Sequence, residues 1–263
     1  MTDTTVGVVL TPKSPPERLR EVARAAEDAG VAQLWLWEDC FYEGGLTAAT
    51  AALSWTERLQ VGIGLMPVPL RNPALVAMEV ATVARLFPGR FLPGFGHGVL
   101  DWMGQVGARV ASPMTLLREY TSAVRDLLHG RTVDVDGRFV HLEQVALDWP
   151  PVSPPPVLVG GRGPKTVRLA GEVADGLIID AGHTPDQVRG IFATAAEGRV
   201  ARAAEPFDNI AFVELDASAP GLAGRIDESV AAFTEAGADT VVFQALLDDP
   251  DPEPLIAALA ARA

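Results

Sequence analysis

One cysteine, Cys40, in 263 residues excludes an internal disulfide framework and fits a reducing cytoplasm. Cationic side chains are also short: 21 lysines and arginines stand against 34 acids, a formal net charge of −13. Nucleic-acid binding needs a basic footprint, so that balance argues against it, and it disfavours anionic membrane surfaces too. No apolar run approaches the length of a bilayer span, and no basic segment leads into an apolar one at the amino terminus as a secretory leader would. The four histidines, His97, His129, His141 and His183, are not paired at metal-ligand spacing and there is no CxxC, so no metal is expected. A GxSxG nucleophile turn is missing as well.

What is present is an alternation. Apolar residues make up 48% and charged residues 21%, a globular balance. Val6–Leu10 is a short apolar run; Leu19, Val22, Ala23 and Ala26 then recur at helical spacing up to Gly30. Strands follow at 34–37, 59–64 and 91–95, with helices over 47–56, from Asn72-Pro73 to Phe87, and over 113–129. A hairpin is expected around Asp136-Gly137, and five prolines within 150–156 forbid a helix there. Strands at 157–159, 176–179, 209–215 and 240–244 then alternate with helices at 164–172, 185–203, 223–236 and 252–262. Eight strand–helix units imply an α/β fold with a parallel sheet, and this count and size suit a closed (β/α)8 TIM barrel. A doubly wound open sheet is the rival, but its fingerprint glycines should follow the first strand, where only Thr11-Pro12-Lys13-Ser14-Pro15 stands. The expected organisation is one barrel domain over 1–263, with an insertion at about 131–156 after the fourth unit.

A barrel gathers its chemistry at the carboxyl ends of its strands. Those ends read Trp37-Glu38-Asp39-Cys40-Phe41, Gly64-Leu65-Met66-Pro67, Gly96-His97-Gly98 with Asp101-Trp102-Met103, Gly160 to Gly163, and Asp180 with His183. They are rich in aromatics and glycines, so the implied pocket is wide, flat-walled and mostly apolar. Gly160-Gly161-Arg162-Gly163-Pro164 adds an anion hook, because glycines admit a phosphate to the exposed amides of a helix start. Arg162 and Lys165 make the local charge there positive against the acidic whole. An ordinary strand–loop–helix turn is the plain alternative.

In this order and over about residues 5–180, the chain resembles the bacterial-luciferase-like family of flavin- and deazaflavin-dependent enzymes. The carriers are Gly30 to Trp35, Thr56 to Gly64, Arg71-Asn72-Pro73, Pro88-Gly89-Arg90-Phe91, Gly94 to Gly98, the Gly160 to Pro164 cluster and Ala174-Asp175-Gly176. The resemblance weakens towards the carboxyl terminus. It implies a cytoplasmic homodimer that binds coenzyme F420, or alternatively FMN, and moves hydride to or from a small organic substrate. An FMN-dependent monooxygenase would need a partner flavin reductase, and a non-catalytic flavin-binding barrel is a third alternative. A non-proline cis peptide is implied at Gly64-Leu65, under the cofactor ring. By match the cofactor would be held by Gly64, Leu65, Met66, Gly96, His97, Gly98, Gly160, Gly161, Arg162 and Gly163.

The chain departs from the family in one respect that bears on chemistry. Many relatives carry Asp-His after the second strand, where this chain has Glu38-Asp39, and one branch has a glutamate where this chain has Val99. A glucose-6-phosphate-type mechanism is therefore not supported. Glu38, Asp39 and His97 remain the candidates for proton handling. Adjacent Glu38 and Asp39 would point opposite ways on extended backbone, so at most one faces the pocket, and a carboxylate bonded to an arginine or to backbone is the plain alternative. The expected substrate pocket is lined by Trp37, Cys40 and Trp102, with core packing as the plain alternative. Arg90 should be a structural pair at the far end of the barrel, and residues 181–205 a mobile cover over the cleft.

Overall fold

The computed structural model describes residues 4–261. Eight parallel strands close into a barrel: β1 (Thr5–Leu10), β2 (Gln33–Leu36), β3 (Gln60–Pro67), β4 (Phe91–Gly96), β7 (Leu158–Gly160), β8 (Gly176–Ile179), β9 (Asp208–Leu215) and β10 (Thr240–Ala245), the last pairing back onto β1. Helices α1 (Leu19–Asp28), α2 (Gly45–Ser54), α3 (Pro73–Leu86), α5 (Pro113–Leu128), α6 (Pro164–Val173), α7 (Pro185–Gly198), α8 (Leu222–Glu235) and α9 (Glu253–Ala260) alternate with those strands. The open-sheet alternative is thereby excluded. Residue 262 of the last expected helix lies outside the described residues.

Period-two alternation sorts each strand into two apolar layers. Val8, Leu10, Leu34, Leu36, Ile63 and Phe243 face the helices. Val9, Trp35, Leu92, Ile178, Phe212 and Val242 face inward and fill the barrel. Trp35 is the largest of these plugs, and it dictates a neighbour. A Cβ at Gly62 would lie 2.4 Å from the Trp35 ring, so only glycine fits beside it. The indole Nε1 donates to Gln33 Oε1 at 2.9 Å and Gln33 Nε2 to Gln60 Oε1 at 3.1 Å, so the plug's polar atoms are satisfied below it.

Between α5 and β7 the chain makes an antiparallel pair, β5 (Val133–Asp136) with β6 (His141–Val145), and then the extended proline segment. Glu119 of α5 accepts from the backbone amides of Arg138, Phe139 and Val140, which ties the hairpin loop to the barrel.

Four expectations are corrected. β3 runs on to Pro67, with a register shift between Ile63 and Met66. A short helix, α4 (Leu100–Gln105), follows β4 where none was expected. Arg90 bonds the Leu59 and Thr56 carbonyls and the Thr56 hydroxyl, holding a loop and not an acid. The helix expected over 185–203 ends at Gly198, as α7 opened by a Thr184–Gln187 capping box and anchored by buried Val188, Phe192 and Ala195, with a 3-10 turn at Val200–Arg202 after it.

Candidate active site at the barrel mouth

The carboxyl ends of the strands divide into a glycine-lined half and a polar half. On the first, from β3, β4 and β7, the Gly64–Leu65 peptide is cis, at the position the resemblance implies; Cys40–Phe41 is cis as well. The Leu65 side chain lies in a notch that exists only because its neighbours lack side chains. A Cβ at Gly96 or at Gly160 would stand 2.7 Å from Leu65 Cδ1. Met66 behaves differently: its side chain is buried in the outer layer among the helices, so it can offer a ligand only backbone. Gly98 takes φ +70°, and a Cβ there would come within 2.9 Å of Pro67 Cβ.

The β7–α6 turn carries the anion hook. Gly163 caps α6 on its backbone alone, with no side-chain hydrogen bond, and Pro164 occupies the first turn. A Cβ on Gly163 would meet nothing within 4 Å, so the approach to the helix amides is open. Gly161 has the opposite reason to be glycine, since its Cβ would fall 2.4 Å from Thr166 Cγ2. Arg162 is not a free cation here: its Nε reaches Asp180 Oδ2 at 2.5 Å, and His183 stands 3.4 Å from the other carboxylate oxygen. Lys165 has no acidic partner among the described residues. A cavity of about 360 Å³ opens beside this turn, between α6 and α7, bounded by Arg162, Val167, His183 and Ile191.

The proton-handling candidates separate cleanly. Glu38 is buried and doubly held by Arg71, Nη1 to Oε1 at 2.5 Å and Nη2 to Oε2 at 2.8 Å, and it also accepts from the Gly45 amide at 2.7 Å. Three of its four lone-pair sites accept hydrogen bonds, so Glu38 acts as a structural anchor between β2, α2 and the segment before α3. Asp39 is half-buried and its carboxylate makes no hydrogen bond among the described residues; burial and then the Glu43 charge push its pKa above the ordinary value. Of the adjacent pair, the geometry leaves Asp39 available.

His97 is half-buried at the end of β4. Its Nε2 lies 3.0 Å from Thr166 Oγ1, whose hydroxyl donates on to Met114 Sδ. Burial lowers the His97 pKa although the Pro113 carbonyl favours the charged ring. The residue ties β4 to α6 and so supports the anion hook, while its Nδ1 is buried with no hydrogen-bond partner among the described residues. The pKa of the Cys40 thiol is pushed up by burial and by Glu38 and Asp39, which disfavours the thiolate. Trp37 packs on the interior cluster with its Nε1 buried and unbonded, and Trp102 sits half-buried on α4. His129 and His141 are exposed, bonded to the Arg125 carbonyl and to Asp136.

Residues that the sequence reading did not single out complete the polar half. Arg71 is one; Thr11, Glu214 and Gln244, at the ends of β1, β9 and β10, are the others. Gln244 and Glu214 are register partners, and Gln244 Nε2 donates to Glu214 Oε2 at 3.1 Å. The available signal was one polar residue inside an alternating apolar strand: Ile210, Phe212, Glu214 on β9 and Val242, Gln244 on β10.

Comparison with known proteins places this geometry. The sequence profile of the luciferase-like monooxygenases matches residues 1–215. A 5,10-methylenetetrahydromethanopterin reductase of Methanolobus tindarius is 27% identical over 251 residues, spanning 94% of this chain and 76% of that protein. An F420-dependent glucose-6-phosphate dehydrogenase of Gordonia bronchialis is 30% identical over 187 residues, 65% of this chain and 55% of that protein. Among solved structures, an F420-dependent secondary alcohol dehydrogenase with an F420-acetone adduct superposes with a TM-score of 0.85 at 18% identity, over 98% of each chain. The oxygenating constituent of a Pseudomonas putida 3,6-diketocamphane monooxygenase, in complex with FMN, gives 0.78 at 15% identity over 98% and 96%. Such distant structural likeness bears on the fold; the profile match bears on ancestry. This chain belongs to the luciferase-like monooxygenase family.

Proposed function

We propose that this protein is an oxidoreductase that transfers hydride between coenzyme F420 and a small organic substrate. The observation that carries the reading is the pairing of a glycine-lined ledge at Leu65 with the open, uncapped start of α6. The first would seat a planar ring and the second a phosphorylated tail. The relatives that are F420-dependent by name support the deazaflavin over a flavin.

When bound, the deazaflavin would supply a hydride acceptor or donor; the residues of this chain do the rest. Gly96, Gly160 and Leu65 would seat the ring, with the backbone of Gly64 and Met66 beside them. The amides at Gly161 to Gly163 and the Lys165 charge would hold the phosphate, with Arg162 balanced by Asp180. His97 and Thr166 would fix that turn against β4. Asp39, with its raised pKa, would hold the proton at the β2 end, and Trp37, Cys40 and Trp102 would bound the substrate side.

FMN is the second reading, favoured by the likeness to an FMN-bound monooxygenase, and it requires a separate reductase. Titration of the purified protein with F420 and with FMN, read by ring fluorescence, separates the two. Micromolar or tighter binding of F420 is expected; FMN binding with F420 ignored would select the second reading.

The finer expectations are a cytoplasmic location and a homodimer. The free Cys40 is in keeping with the first. The second is supported by α3, where Leu75, Met78 and Leu86 are exposed on one helical face.

A further inference from the structure

Four adjacent strands carry the hydrogen-bonding groups of the mouth. Around the barrel the order β9, β10, β1, β2 sets Glu214, Gln244, Thr11 and Trp37 side by side, opposite the glycine ledge. Alternation turns all four inward. Phe212, Val242, Val9 and Trp35 lie two residues before them, and each belongs to the interior cluster.

The arc is built and its bonding is incomplete. Gln244 is 4% exposed and gives its amide hydrogen to Glu214, which is open to solvent. Thr11 is 1% exposed, and its hydroxyl has no hydrogen-bond partner. The Trp37 Nε1 is buried and unpartnered as well. Buried polar atoms are costly to leave unbonded, and two on neighbouring strands of one mouth point to a ligand that supplies their partners.

We propose that Thr11, Trp37, Gln244 and Glu214 receive the polar group of the substrate, and that they select an uncharged carbonyl or alcohol over a phosphorylated one. This deepens the hydride-transfer reading and rests on it. An indole N–H can only donate, and a hydroxyl can donate, so the two suit a carbonyl or alcohol oxygen. With one amide hydrogen committed, Gln244 Oε1 and the Glu214 carboxylate accept from a hydroxyl. A phosphate meets the wrong field. Glu214 and Asp39 flank the arc, while Arg71 is consumed by Glu38 and Arg162 by Asp180. Lys13, three residues beyond β1, turns its ammonium onto the Leu247 carbonyl at 2.8 Å.

The test uses the purified protein, with and without F420, and ¹⁵N-labelled tryptophan. The chain has five tryptophans, and Trp37→Phe assigns the Trp37 indole resonance. The probes are acetone, 2-propanol, cyclohexanone and cyclohexanol on one side, glycerol 3-phosphate and glucose 6-phosphate on the other. At least one neutral probe is expected to move that resonance saturably, and the phosphorylated ones to leave it still. Thr11→Val, which removes only the unpartnered hydroxyl, should weaken the neutral titration about fivefold while raising the melting temperature; a merely structural threonine would not do both. Gln244→Leu should weaken it about tenfold, with F420 affinity unchanged within twofold. Silence from every neutral probe, a tighter response to a phosphorylated one, or unchanged midpoints in both variants would overturn the proposal. Failure to take up F420 would instead sink the hydride-transfer reading, and the titration on cofactor-free protein would still be readable.

Discussion

Arg71 grips Glu38 through two parallel hydrogen bonds, 2.5 and 2.8 Å long, across 33 residues of sequence. The carboxylate is buried, so it cannot fall back on water if Arg71 is removed, whereas the partly exposed Arg71 keeps Glu79 at 3.7 Å. Arg71→Met should therefore cost about 3 kcal/mol in urea unfolding, the usual penalty for stranding a buried charge. Glu38→Gln, which keeps the shape and the Gly45 contact, should lose less and retain hydride transfer to within a few fold. A Glu38→Gln protein of full stability and no activity would return the proton role to Glu38.

Asp39 is the opposite case. Its folded pKa lies above the ordinary 3.8, so the native state holds that proton more tightly than the unfolded chain does. The carboxylate is thus a penalty that is absent at pH below 3.8, grows as pH rises through the raised value, and is constant beyond it. Asp39→Asn should raise the melting temperature at about pH 7 and leave it unchanged near pH 3. The same variant should slow hydride transfer at least tenfold, with cofactor affinity intact.

The barrel was legible because alternation at period two within strands and near 3.6 between them is local. Glycines at 62, 96, 160 and 161 were visible, but the reason for each is a ring or side chain brought close by folding: Trp35, Leu65 and Thr166. The choice between Glu38 and Asp39 depends on Arg71, which no spacing rule connects to them. Helix α4 escaped notice because six residues hold too few turns to show a period. Glu214 and Gln244 escaped because each interrupts an apolar strand only once.

The anion hook predicts a dependence on phosphate and not on the ring. Lys165→Ala should weaken F420 binding about fivefold and leave the phosphate-free deazaflavin riboside unaffected. Raising the salt concentration should narrow the difference between the two ligands in the wild type. Gly161→Val should weaken F420 too, by pushing Thr166 off His97, whereas Gly163→Ala should be tolerated because its Cβ meets open space.

If α3 forms the dimer face, Met78→Glu should yield monomers in sedimentation-velocity runs. Glu17→Lys, far from α3 in the chain, serves as the charge-change control. A wild-type protein that sediments as a monomer would remove the dimer from the account.

The most direct test of the central claim is a crystal structure of the protein grown with F420. The account predicts density for the planar ring on the Leu65 ledge between Gly96 and Gly160, and for the phosphate on the amides of Gly161 to Gly163. A ring bound elsewhere, or a mouth into which no ring can enter at saturating cofactor, would contradict it.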